Sequence, residues 1–246
     1  MNFRELVVAY FTYPAIQVYL LVAVAGAVLA GMLTVNGWHA ALAALAVVLL
    51  YPLVEYVLHR WVLHNSLLYK LPFTARTWKR IHFDHHQDPY KLDVLFGSLA
   101  STLPAILLIT APVGYAIHGW AGAAAAVAAG AVCTAVFEFV HCIQHLNYKP
   151  PYEFLRRIKQ AHLLHHFHNE TANFGITNFF WDRVIGTYYG SAKERERSPT
   201  VFNLGYDSAM AERYPWAARM TREPMLERSS YRERQVAEGA VEGGRH

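Results

Sequence analysis

Four stretches of this chain are too long and too apolar to be folded away beneath the rest of it. They run over residues 13–35 (YPAIQVYL…MLTV), 38–58 (WHAALAAL…EYVL), 94–117 (VLFGSLAS…GYAI) and 120–140 (WAGAAAAV…FEFV). Each is near the ~20 residues that an α-helix needs to cross the hydrocarbon core of a bilayer. Composition agrees: 16% of residues are charged, against about 25% in a soluble domain. The connectors Asn36-Gly37 and His118-Gly119 leave room only for tight helical hairpins. The Ala- and Gly-rich fourth stretch suits helices that pack closely inside a membrane, and Trp38 and Trp120 open the second and fourth stretches at interfacial positions. The expected fold is all-α: four transmembrane helices in two hairpins, with the remaining segments forming a helical cap on one side.

Charge distribution orients it. All 22 Lys and Arg fall before the first stretch, between residues 59 and 91, or after residue 145. The positive-inside rule then puts both termini and the cap in the cytoplasm. The basic excess reads as topology and as affinity for anionic headgroups rather than for nucleic acid. The first apolar run is too long for a cleavable signal peptide and lacks a small-residue cleavage site. Cys133 and Cys142 are nine helical positions apart, at about 1.5 Å each, which is too far for a disulfide. A single membrane-embedded domain is expected over 1–190. A polar tail follows over 191–246, whose end, ERSSYRERQVAEGAVEGGRH, has a disordered composition.

The 14 histidines carry the chemistry. His59 and His64 frame HRWVLH; His82, His85 and His86 form HFDHH; His141 and His145 frame HCIQH; His162, His165 and His166 form HLLHH. Positions i, i+3 and i+4 of a helix share one stripe, so each HxxHH presents three imidazoles from one face, and HCIQH presents two. His59 and His64, five apart, share no face of an α-helix, so the helix should end or distort there. All ten lie in or beside the cytoplasmic segments, at one depth. Neutral imidazole is the commonest protein metal ligand, and an all-nitrogen set suits Fe, Zn, Cu or Ni while offering little to Mg or Ca. Ten such groups invite two metals. His39 and His118 belong at the opposite membrane face, His246 in the tail, and His168 off the stripe of the last box.

Two carboxylates lie within the spans, where ionisable groups are costly and point to function. Glu55 precedes His59 by four residues and Glu138 precedes His141 by three. Either could accept the free ring N–H of a metal-bound histidine, or pair with an interfacial arginine.

HRWVLH, HFDHH, HCIQH and HLLHHFHNETANFGITNFFWDRVIGTYY together resemble the fatty-acid hydroxylase and sterol desaturase superfamily, over roughly residues 50–190. The likeness includes the order and spacing of the boxes and the run Asn173-Phe174-Gly175-Ile176, Trp181-Asp182 and Gly186-Thr187. The pattern is similar to the fatty-acid 2-hydroxylase branch, with sterol desaturases, methyl oxidases and carotenoid hydroxylases as neighbouring possibilities. The resemblance implies an O₂-dependent di-iron lipid hydroxylase, with the ten histidines as metal ligands and Asp182 joining Glu55 and Glu138 behind them. Zinc fits imidazole as well as iron does. No haem-carrying donor domain precedes the spans in this sequence, so the resemblance implies electrons from a separate protein. Phe73, Trp78, Phe83, Phe174 and Trp181 are candidates to line a lipid channel. Two other classes answer the histidines less well. A metal transporter would spread ligands through the depth of its helices, and a haem carrier has no use for two HxxHH triplets.

Overall fold

The computed structural model describes residues 1–35 and 37–220. Among these residues it is all helical. The order is α1 (Phe3–Phe11), α2 (Pro14–Leu33), α3 (Gly37–Val57, continued by a π-helical turn over Leu58–Leu63), α4 (Leu67–Lys70), α5 (Pro72–Trp78, with a second π turn over Lys79–Phe83), α6 (Asp84–Gln87), α7 (Leu92–Leu95), α8 (Leu99–His145), α9 (Glu153–Phe167), α10 (Phe180–Ile185), α11 (Ser208–Arg213) and α12 (Pro215–Arg219). The first helix, not anticipated, is set by a capping box in which Asn2 and Glu5 satisfy each other's backbone N–H. It buries Leu6 and Tyr10, and the Tyr10 hydroxyl donates to the Ala135 carbonyl at 2.6 Å.

Among the described residues, three helical stretches are long and apolar enough to cross a membrane: Pro14–Leu33, Gly37–Leu63 and Leu92–His145. The third and fourth expected stretches both fall in the last of these runs, as two helical arms that meet at the expected His118-Gly119 connector. That run does not stay straight. At His118 (φ −152°) and Gly119 (φ 54°, ψ −145°) the backbone leaves helical geometry, and glycine permits the positive φ there. The two arms come back against each other. A Cβ on Gly114 would lie 2.1 Å from the Gly122 carbonyl oxygen, and one on Gly130 would lie 2.7 Å from Thr110 Cγ2. Such close approach, backbone to backbone at Gly114 and backbone to side chain at Gly130, requires glycine at the contact.

The arm over residues 120–145 is the hub. The Gly26 backbone of α2 sits against Ala124 and Ala128. Ala40 and Val47 of α3 pack on Ala124, Ala125, Ala126 and Ala129, and the 99–117 arm takes the third side. At the end of the hub, the Lys159 ammonium of α9 donates to the carbonyls of Ile143, Leu146 and Tyr148 at 2.8–3.0 Å. It satisfies the acceptors that a helix C-terminus leaves open, and it ties the cap to the hub.

Packing does not stop at residue 190, where the tail was expected to begin. Tyr206 and Ala217 are buried with Tyr69, Trp78 and Phe83, and Trp216 Nε1 donates to the Tyr69 carbonyl at 2.7 Å. Residues 195–202 are laced to the cap. Asn169 donates to the Glu196 carbonyl, Ser198 N–H to the His168 carbonyl, and Gln87 to the Phe202 carbonyl. Tail residues 227–246, His246 included, lie outside the described residues.

Candidate metal centre

The two π turns answer the problem of the first histidine pair. His64 N–H bonds to the His59 carbonyl, five residues back, at 3.2 Å. An i→i−5 bond inserts one residue into the turn and brings position i+5 back over position i, a device frequent at functional sites. The His59 and His64 rings therefore meet, with centroids 5.0 Å apart. The second π turn does the same service one box later, delivering His82 beside His64 at 4.4 Å and His86 at 4.6 Å.

Nine of the ten box histidines fall into two groups, each with ligand nitrogens within 4.8 Å of one another. One is His85, His141, His145, His162 and His166; the other is His59, His64, His86 and His165. His82 flanks the second group. The boxes interleave: each HxxHH, though it presents a single face, sends ligand atoms to both groups. His85 parts from His86, and His165 from His162 and His166.

Within the groups the Nε2 atoms converge. His145 Nε2 is 2.8 Å from His162 Nε2 and 3.1 Å from His141 Nε2; His64 Nε2 is 3.1 Å from His165 Nε2. Ligands bound at about 2.1 Å to one metal stand roughly 3.0–3.4 Å apart, so these separations fit imidazoles aimed at a shared ion. Other ring nitrogens are buried with no hydrogen-bond partner, including both of His85 and both of His86, an expensive condition unless something else binds them. In the cap, burial pulls His64, His82, His85, His162, His165 and His166 well below the usual imidazole range, and His86 down to about 3. These rings are held neutral, the state in which a histidine ligates. The donor set fits two transition-metal ions.

The rings are oriented from behind by backbone, not by the carboxylates expected there. His59 Nδ1–H donates to the Phe174 carbonyl at 2.5 Å, and His165 Nδ1–H donates to the Ala172 carbonyl at 2.7 Å. The carboxylates act one step further out. Asp182 accepts from the N–H groups of Phe174 (2.8 Å) and Gly175 (2.7 Å) and from the Thr187 hydroxyl. Glu55 accepts from Ile176 N–H, Thr177 N–H and the Thr177 hydroxyl. Together they fix the loop that carries both carbonyls. Asn173, fully buried at φ 55°, bridges Ala161 and Tyr189 through its side-chain amide. Gly175 has no alternative, because a Cβ there would lie 2.1 Å from the Asn178 carbonyl oxygen. Gln144 adds a bond to the Ile176 carbonyl at 2.8 Å. The roles of Ala172, Asn173 and Gln144 are absent from the spacing of the boxes; the composition of NFGIT was the one available signal.

Glu138 takes a different place again. Its Oε1 accepts from Gly97 N–H at 2.8 Å, while Oε2 is buried without a partner. It lines a cavity of about 360 Å³ that runs from the histidines between α3 and the 99–117 arm. The aromatic candidates for a channel are not in its wall. Trp78 and Phe83 are core residues of the cap, Phe73 is exposed, Phe174 meets His59, His64 and His165 edge to face, and Trp181 lies against Phe180. The wall is mostly aliphatic instead, from Leu50, Val54, Leu58, Ala105, Ile106 and Ile109, with Tyr51 and Phe137 as its aromatic members. His168 stands outside both groups and donates to the Arg195 carbonyl at 2.7 Å. His39 and His118 stack on each other at the far turns, 4.9 Å apart.

The family model described as fatty acid hydroxylase matches residues 44–187. The ceramide very long chain fatty acid hydroxylase SCS7 of Saccharomyces cerevisiae is 33% identical over 58% of this chain and 37% of its own length. The dihydroceramide fatty acyl 2-hydroxylase FAH2 of Arabidopsis thaliana is 31% identical over 61% of this chain and 62% of its own. This chain thus spans less than two thirds of either relative. A solved structure, full-length scs7p with only its hydroxylase domain visible, superposes with a TM-score of 0.63 at 28% identity, covering 75% of this chain and 68% of that one.

Proposed function

This chain belongs to the fatty acid hydroxylase family, and from that premise we propose that it is a membrane-embedded di-iron hydroxylase acting on the acyl chain of a fatty acid or sphingolipid. The observation that carries this reading is the junction of two convergent, buried histidine groups with the end of an apolar cavity inside the membrane-spanning helices. A transporter or a haem carrier has no use for that junction.

In this reading His85, His141, His145, His162 and His166 hold one iron, and His59, His64, His86 and His165 hold the other, with His82 completing the second site. Bound iron supplies the activation of O₂ for attack on a C–H bond, which amino-acid side chains do not perform alone. The chain's own residues do the rest. The Ala172 and Phe174 carbonyls fix the tautomers of His165 and His59. The aliphatic wall excludes water and aligns an acyl chain with the metals. Electrons come from a separate donor protein. The two arms of α8 each cross the bilayer, which makes four crossings in all and puts the termini and the metal centre on the cytoplasmic side.

The test is lipid mass spectrometry of cells with and without the protein, supplied with iron and a competent reductase. A hydroxylated acyl product, one oxygen heavier and placed at carbon 2 by fragmentation, is expected. Absence of any metal-dependent oxygenated lipid across a broad panel overturns the enzyme reading.

A further inference from the structure

The cavity has a floor. α3 makes its packing contacts on the hub, through Val47 with Ala126 and Ala129 and through Tyr51 with Thr134, and the 99–117 arm also packs on the hub. Between α3 and that arm a slot remains, backed by the hub, and its lining ends at Val47, Val113 and Gly130. There Val47 meets Ala126 on one side, and on the other the backbone of Gly114 lies so close to Gly122 and Ala126 that no side-chain atom fits. Ala126 is fully buried between them. The histidines close the opposite end.

Polar atoms gather at the histidine end, on Glu55 and Glu138. Deeper down, the hydroxyls of Thr110 and Thr134 turn back onto their own helix, to the carbonyls of Ile106 and Gly130 at 2.7 and 2.9 Å. Those hydroxyls are thereby satisfied within the helices. An acyl chain therefore enters with its methyl end toward Val47 and Val113 and its polar end at the metals.

We infer that this floor is a chain-length gauge, set by Val47, Val113 and the Gly114–Ala126 contact. This rests on the acyl hydroxylase reading and adds what limits its substrate. From His141 to Gly130, the deepest hub residue in the lining, is eleven residues and from His59 to Val47 twelve, or about 16–18 Å along the helices. An extended chain advances about 1.25 Å per carbon, from a C–C bond of about 1.5 Å and near-tetrahedral angles. The slot thus holds about 13 carbons beyond the oxidised position, and a chain oxidised at carbon 2 fills it at about 15 carbons in all.

The gauge is measured first with zinc in place of iron, so that binding is read apart from turnover. Zinc-loaded protein in nanodiscs is given a fluorescent fatty acid, which is displaced by saturated fatty acids of about 8 to 20 carbons. Affinity should rise about three- to fourfold per added methylene and level off near 15 carbons. Val113→Phe should move the break about two to four carbons shorter, and the milder Val113→Ala about one carbon longer. A break that stays put in both variants, or no break at all in the wild type, overturns the gauge. The same variants are then scored for hydroxylated products. A moving break in binding with no product from any chain length upholds the gauge and sinks the hydroxylase reading. Product of unchanged chain-length profile in both variants does the reverse.

Discussion

At the scale of single residues, the centre is held by an outer layer that acts through peptide groups. Asp182 touches no ring, yet it fixes the N–H groups on either side of the carbonyl that orients His59. Asp182→Asn keeps the size and loses one of the acceptors. It should lower stability by about 1–3 kcal/mol and weaken metal retention about 10- to 100-fold, measured by denaturant unfolding and by competition with a chelator. Normal retention in a folded variant would mean that the loop is held without it. The adjacent ligands make a sharper test, because they serve different groups. His165→Ala and His166→Ala should each lower bound metal from about two ions per chain toward one. The doubly replaced chain should bind neither, and metal analysis at unchanged stoichiometry would remove these rings from the ligand set.

At the scale of elements, most of the architecture was legible and the exceptions have physical causes. Apolar runs and tight connectors located the helices, and the box spacing located the faces. The distortion expected between His59 and His64 is present as a π turn, but sequence spacing does not say that this turn restores a shared face. The second π turn, over Lys79–Phe83, left no mark in the spacing at all. The expectation that Glu55 and Glu138 back the histidines followed from helix periodicity, which reports the face but not the reach of a side chain. The reversal inside α8 falls at the expected His118-Gly119 connector, but the apolar pattern does not say how close the arms come: the turn is made by a single positive-φ glycine and the backbones pack directly. Gly114→Ala should therefore destabilise by about 1–3 kcal/mol through overpacking. Gly31→Ala, where a Cβ meets nothing, should be neutral or gain up to about 1 kcal/mol from helix propensity. Thermal unfolding of the pair in one detergent decides it, and equal midpoints would argue against the tight contact.

For the molecule as a whole, the described C-terminal residues belong to the folded unit. Ending the chain at residue 190 removes the partners of Asn169 and Gln87 and uncovers Tyr69, Trp78 and Phe83. Compared with a chain ending at 220, it should lose metal faster under chelator dialysis; equal rates would make the strap dispensable. The four crossings proposed above also predict sidedness. A cysteine placed at Gly119 should react with an impermeant thiol reagent on intact cells, while one at Glu153 should react only after lysis, and the opposite pattern would invert the topology. The interleaving of the boxes reaches further than any of these. His85 and His86 are neighbours in the chain, as are His165 and His166, yet each pair is divided between the two groups. Consecutive Cα atoms are separated by a covalent length of about 3.8 Å. The gap between the two histidine groups is therefore bridged by covalent bonds at two places as well as by packing, so stretching or thinning of the surrounding bilayer can tilt the helices with little change in that gap.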